Sequence, residues 1–279
     1  MGHLGGRATM FVAAMCWWSL GALVPVSAAD DKDEFARFLR DKEPPLVTVK
    51  FVLKVKMGGA MGGMGDQESD TEITGVMIDP KGVVLCSNTQ LGGFAAMMKK
   101  FMGRMGGEIT ATPTDVKVLV GDDVDGVEAE LIARDTELDL AWVRIKTPRT
   151  EPYAHVDLGE AVKASIGERV FAVHRMDKYF ARSAVVAEGR IGGKTSKPRD
   201  LYVPAAALAP AMGLPVYTAE GQVIGVMVMQ APDEEDVDAD SMAMFGRMSN
   251  MQEMMGGFIL PAETVDKATR RAMESAEGD

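Results

Sequence analysis

Two cysteines, three histidines and no excess of basic residues are the first constraints set by this 279-residue chain. Cys16 falls in an N-terminal segment expected to be removed, which leaves Cys86 alone and excludes an intramolecular disulfide. Stability must then come from the core. Cys86 lies in the apolar run VVLC and reads as a buried, inert thiol. A formal net charge of −11 denies nucleic acid and anionic membrane surfaces the basic footprint that phosphate binding needs. No internal repeat of about 20–50 residues is present, which excludes solenoids and propellers. Against these absences, a hydrophobic content of 47% with 25% charged residues is ordinary for a folded soluble protein and argues against disorder. The length allows a full-sized core.

The first 29 residues have the pattern of an export signal. His3 and Arg7 form a weakly positive start, residues 8–29 carry no charge, and VPVSAAD closes the run with Pro25 and small residues. Cleavage is expected after Ala28 or Ala29, placing the protein in the periplasm or outside the cell. The alternative is an uncleaved membrane anchor, since the uncharged run is long enough to span.

DKDEFARFLRDKEPP then sets Phe35, Phe38 and Leu39 on one face among charges and stops at Pro44 and Pro45, predicting a short helix over 30–45. From Leu46 the period changes to two. In LVTVKFVLKVK, Val47, Val49, Phe51, Leu53 and Val55 alternate with mostly polar residues, the pattern of a half-buried strand. Further strands are expected at 73–78, 82–86, 115–120, 127–133, 140–145, 169–173, 183–191, 214–218 and 222–230. The turns DPKG, GDDVDG and AEG separate some of them. Many short strands without intervening helices predict an all-β fold. A composition break at KTPRTEPY divides it into two tandem antiparallel β-barrels, about 46–146 and 154–265. PAETVDKATRRAMES predicts a C-terminal helix at about 261–275.

Five local motifs, in order, resemble the protease domain of the HtrA family, exported serine proteases of trypsin-like fold. ITGVMIDPKGVVLCSN is similar to the strand–turn–strand that leads to that family's catalytic histidine. AELIARDTELDLAWVRI keeps the D-x-x-x-D-L-A spacing around its aspartate. VDLGEAVKASIGERVFAV resembles the start of its second barrel, and PVYTAEGQVIGV and GGFILPAETV resemble the elements that close it. The resemblance runs from about 47 to 265 and implies a trypsin-like fold with no room for a PDZ domain.

What it implies about chemistry is different. A serine protease needs a hydroxyl nucleophile, an imidazole base, an orienting carboxylate and backbone N–H donors for the oxyanion. Asp139 stands at the acid position, but Thr89 stands at the histidine position and Met212 at the serine position. In the former oxyanion loop, PAMGLP aligns on Gly213 and puts Pro210, which has no N–H, at the first glycine. The window 198–240 contains neither serine nor cysteine, and after the signal no histidine precedes Asp139. Asp139 is expected to serve a turn, and His155 and His174 to be structural. The expected function is therefore a proteolytically inactive relative that binds or scaffolds polypeptide in the old cleft. The alternative is a divergent endopeptidase using a displaced base such as His174.

Thirteen of the 22 methionines fall in three clusters: Met57, Met61 and Met64; Met97, Met98, Met102 and Met105; and Met242, Met244, Met248, Met251, Met254 and Met255. The first is glycine-rich and reads as a loop, and the other two have helical spacing beside Phe101 and Phe245. Plastic packing, an adaptable apolar surface for polypeptide, and a soft-metal Cu(I) site are the three readings. On the second, Met97, Met98, Met102, Met105, Met248 and Met251 border the cleft. The acidic run DEEDVDAD lacks calcium-loop spacing, and no cofactor or resident metal is expected. Unfolded or extended polypeptide, a protein partner, a homo-oligomer, or a mixed assembly with an active paralogue are the expected partners, with nucleic acid excluded.

Overall fold

A computed structural model describes residues 28–59, 66–95, 107–205, 208–230 and 257–278. The strands β1 (Leu46–Gly59), β2 (Gln67–Asp79), β3 (Val83–Ser87), β4 (Gly107–Val120), β5 (Val127–Asp135) and β6 (Leu140–Ile145) close one barrel in the order β1-β2-β3-β6-β5-β4. A second barrel, in the order β10-β11-β12-β9-β8-β7, is built from β7 (Arg169–Arg175), β8 (Ala184–Thr195), β9 (Leu201–Pro204), β10 (Pro215–Thr218), β11 (Val223–Val228) and β12 (Phe258–Pro261). The pairings are antiparallel. The fold is the expected all-β, two-barrel, trypsin-like one, with the short helix α1 (Ala28–Lys42) before it and α2 (Ala262–Glu277) after it.

Strand period explains where the two cores meet. In β1, Val47, Val49 and Phe51 all point into barrel one and are buried. In β3 and β6 both faces are covered. Val84, Cys86, Ala141 and Val143 fill barrel one, while Val83, Leu85, Leu140 and Trp142 join the core shared with barrel two. That double burial is why VVLC and LAWV read as unbroken apolar runs instead of alternating ones. Burial pushes the Cys86 thiol up to about 12, in keeping with an inert thiol.

The helices cross over. α1 precedes barrel one in sequence but docks on barrel two: Phe38 stacks on Phe171 at 4.5 Å, Phe35 meets the same ring edge-on at 5.9 Å, and Glu34 pairs with Arg169 at 3.1 Å. α2 follows barrel two but reaches barrel one, where Thr269 accepts a 3.0 Å bond from the Trp142 indole. Each helix straps the end of the chain to the other barrel. Phe38→Ala, which deletes a ring that is 2% exposed, is expected to lower the unfolding free energy by about 3 kcal/mol in a urea titration.

Several boundaries differ from expectation. α1 starts at Ala28 and ends at Lys42, because the chain turns before Pro44 and Pro45 instead of at them. β2 and β4 begin well before 73 and 115, since the long β1 pairs both of them nearly to its end. Their outer portions carry polar residues that mask the period. β8 likewise runs on to Thr195, where it pairs with β9. β9 is four residues long and gave no periodic signal of its own.

Candidate functional site

The candidate site lies where the barrels meet, and Asp139 is its centre. Asp135 Oδ1 accepts from the Glu137 and Leu138 amides at 3.1 and 2.9 Å, a side-chain-closed turn that delivers Asp139 to the head of β6. Asp139 has φ +57°, a left-handed conformation that aspartate tolerates better than most residues. Its side chain is almost wholly out of water, with the residue 2% exposed.

The Asp139 carboxylate is surrounded by donors. The Ser87 hydroxyl bonds both oxygens at 3.2 and 3.1 Å, the Thr89 amide donates to Oδ1 at 2.7 Å, and the Met229 amide donates to Oδ2 at 2.9 Å. Ser87 and Thr89 belong to barrel one, whereas Met229 follows β11 of barrel two. The carboxylate is thus a tie between barrels. Burial raises its pKa above the ordinary carboxylate value, and these donors pull the other way.

Thr89 opens a wide helical turn, Thr89–Gly93, in which Gly92 takes φ +100° and Gly93 donates to the Asn88 carbonyl at 2.7 Å. The Arg134 guanidinium steadies the same turn through the Leu91 carbonyl at 2.9 Å. Thr89 therefore sits against Asp139, the neighbourhood an orienting acid gives its base. A threonine side chain has no imidazole to be oriented.

Pro210 and Met212 face Gln90, Ile73, Thr74 and Arg175 across a cleft of about 200 Å³. Met212 is 6% exposed and belongs to the core shared by both barrels, with its methyl end beside Gly257. Gly213, at φ +79°, donates its N–H to the Met227 carbonyl at 2.7 Å. The cleft is braced across the barrels by Arg182 on the β7–β8 hairpin, which grips both oxygens of Glu72 on β2 at 2.9 Å.

Thr89, Asp139, Met212, Pro210 and Gly213 thus gather at one seam. His174 is not among the groups that contact Asp139. It lies in β7 opposite Val185, with its Nδ1 shielded and unpartnered and its pKa lowered by burial. His155 Nδ1 lies 3.1 Å from the Tyr153 carbonyl. Met97, Met98, Met102, Met105, Met248 and Met251 lie outside the described residues, as does the acidic run 233–240. Ser87 and Met229, the partners that make Asp139 a tie, were not singled out from sequence. Ser87 has a local cue, two residues before Thr89, while Met229 ends an apolar strand and acts through its backbone alone.

This is the geometry of a trypsin-type fold. Residues 73–226, more than half of the chain, match the trypsin-like peptidase domain, and the chain belongs to that family. The trypsin-like fold expected from the motifs holds. Among solved structures, Deg5 is similar at a TM-score of 0.51 and 16% identity, over 87% of this chain and 94% of that one. The MamO protease domain from Magnetospirillum magneticum is similar at 17% identity and a TM-score of 0.45, over 81% of this chain and 96% of that one. No curated protein matches the chain.

Proposed function

We propose that this chain is an exported trypsin-fold protein that no longer cuts polypeptide and uses the inter-barrel cleft to bind or scaffold it. The observation that carries the reading is the state of Asp139. Its carboxylate is spent on Ser87, Thr89 and Met229, with no imidazole bonded to it among the described residues. Met212, at the nucleophile's place, has no proton to lose and packs into the core. Pro210 withholds one oxyanion donor. Loss of single triad members already costs several orders of magnitude in rate, and here base and nucleophile are both absent. A cleft shaped for extended peptide still offers backbone and side-chain contacts without chemistry. Export is supported by the uncharged run 8–29 and the small residues that end it.

Casein cleavage followed over hours, for the natural chain beside a Thr89→His/Met212→Ser variant, tests this. The natural chain is expected to show no cleavage and to bind unfolded casein in a pull-down. Slow cleavage by a variant that keeps its circular dichroism spectrum would show that the cleft retains a substrate's shape. Cleavage by the natural chain that survives repurification would overturn the reading.

A further inference from the structure

A second concavity lies away from the cleft, where α2 packs against β5 on barrel one. It encloses about 230 Å³, and buried Trp142, Ala268 and Ala272 give it an apolar floor. Arg134 of β5 and Arg271 of α2 both line it. Arg134 donates from Nη2 to the Leu91 carbonyl, and its Nε is shielded from solvent without an acceptor. Among the described residues neither arginine has a carboxylate within ion-pair distance. That is unexpected in a chain with 41 acidic and 30 basic residues, because a partly buried cation without an anion is costly. Asp135, also lining the groove, accepts the Glu137 and Leu138 amides through Oδ1 alone and makes no ion pair with either arginine. Two arginines without a carboxylate partner, on the walls of one open groove, can take an anion from solvent.

We propose that the groove between β5 and α2 is a binding site for a small oxyanion, a carboxylate or phosphate group, clamped by Arg134 and Arg271 above Trp142. The planar guanidinium fork of exposed Arg271 matches two oxygens of such a group, and Arg134, with Nη2 given to Leu91 and Nε shielded, adds its charge. The groove is too small for a folded partner and suits a ligand of a few heavy atoms. The Trp142 indole N–H is already given to Thr269, so the ring contributes an apolar surface and the arginines contribute recognition. Because Arg134 also holds Leu91, a ligand here shares its guanidinium with the turn that carries Thr89.

Trp142 is the built-in reporter. The full chain with Trp17→Phe and Trp18→Phe leaves it as the sole indole of the three. Titration with acetate and with inorganic phosphate at constant ionic strength, against chloride, is expected to give a saturable change in its fluorescence. Saturation by acetate alone assigns a carboxylate, and saturation by phosphate alone a phosphate group. Arg271 is exposed on α2, so Arg271→Gln is expected to keep its melting temperature without ligand and to weaken binding about tenfold or more. Arg271→Lys, which keeps the charge without the fork, is expected to fall between. A response that does not saturate, that chloride reproduces, or that is unchanged in both Arg271 variants would overturn the proposal.

Discussion

Asp139→Ala is expected to destabilise the protein by about 3–4 kcal/mol, seen as a lower denaturation midpoint. The change strands the Thr89 and Met229 amides, and each buried donor left unsatisfied costs about 1–3 kcal/mol. The Ser87 hydroxyl can rotate to another acceptor and adds less. Alanine at φ +57° adds roughly 1 kcal/mol more, because it lacks the short polar side chain that eases the left-handed conformation for aspartate. One term opposes these. Burial raises the Asp139 carboxyl, so ionising it inside the fold already costs free energy, and deletion removes that cost. Asp139→Asn keeps the shape and tolerates the left-handed backbone, but turns an amide towards donors. It is expected to lose less than alanine does. Equal stability of the alanine variant and the natural chain would show that the acid is a relic, not a tie.

Gly213→Ala is expected to be as damaging, by about 3–4 kcal/mol, and to leave no room for repacking. The added Cβ would fall on the Ser87 amide and within 2.8 Å of the Cys86 carbonyl carbon. Those are backbone atoms of β3, which cannot rotate away as a side chain does. Overpacking of this kind costs about 1–3 kcal/mol or more, and the left-handed φ of +79° adds to it. The measurement is the same denaturation curve, with loss of the cooperative transition as the extreme result. A variant within 1 kcal/mol of the natural chain would mean that the barrels separate easily at this seam.

Both effects lie where barrel meets barrel, and this is also where sequence reasoning ran thin. β1 and β6 were legible because one alternates and the other is an unbroken apolar run, each dictated by what covers its faces. Thr89, Asp139 and Met212 were placed by motif order, and they do assemble at one seam. What pattern could not give was the direction of Asp139's bonds. Met229 contributes a backbone N–H from 90 residues away, and any residue type but proline would supply it. β9 was missed as a four-residue strand that meets β12 at a single pair, Ile259 with Tyr202. The lack of an ion pair at Arg134 among the described residues is a fact of three dimensions that no sequence pattern carries.

The burial of Met212 bears on how such a molecule changes over generations. A single Met212→Ser step would remove a thioether that fills space beside Gly257 and Met227 before it gained any reactivity. On the proposed reading Thr89 and Pro210 would still block the chemistry, so each intermediate sequence would carry a penalty without a return. On the reading proposed above, a core that uses the nucleophile's place as filling resists stepwise recovery of the chemistry.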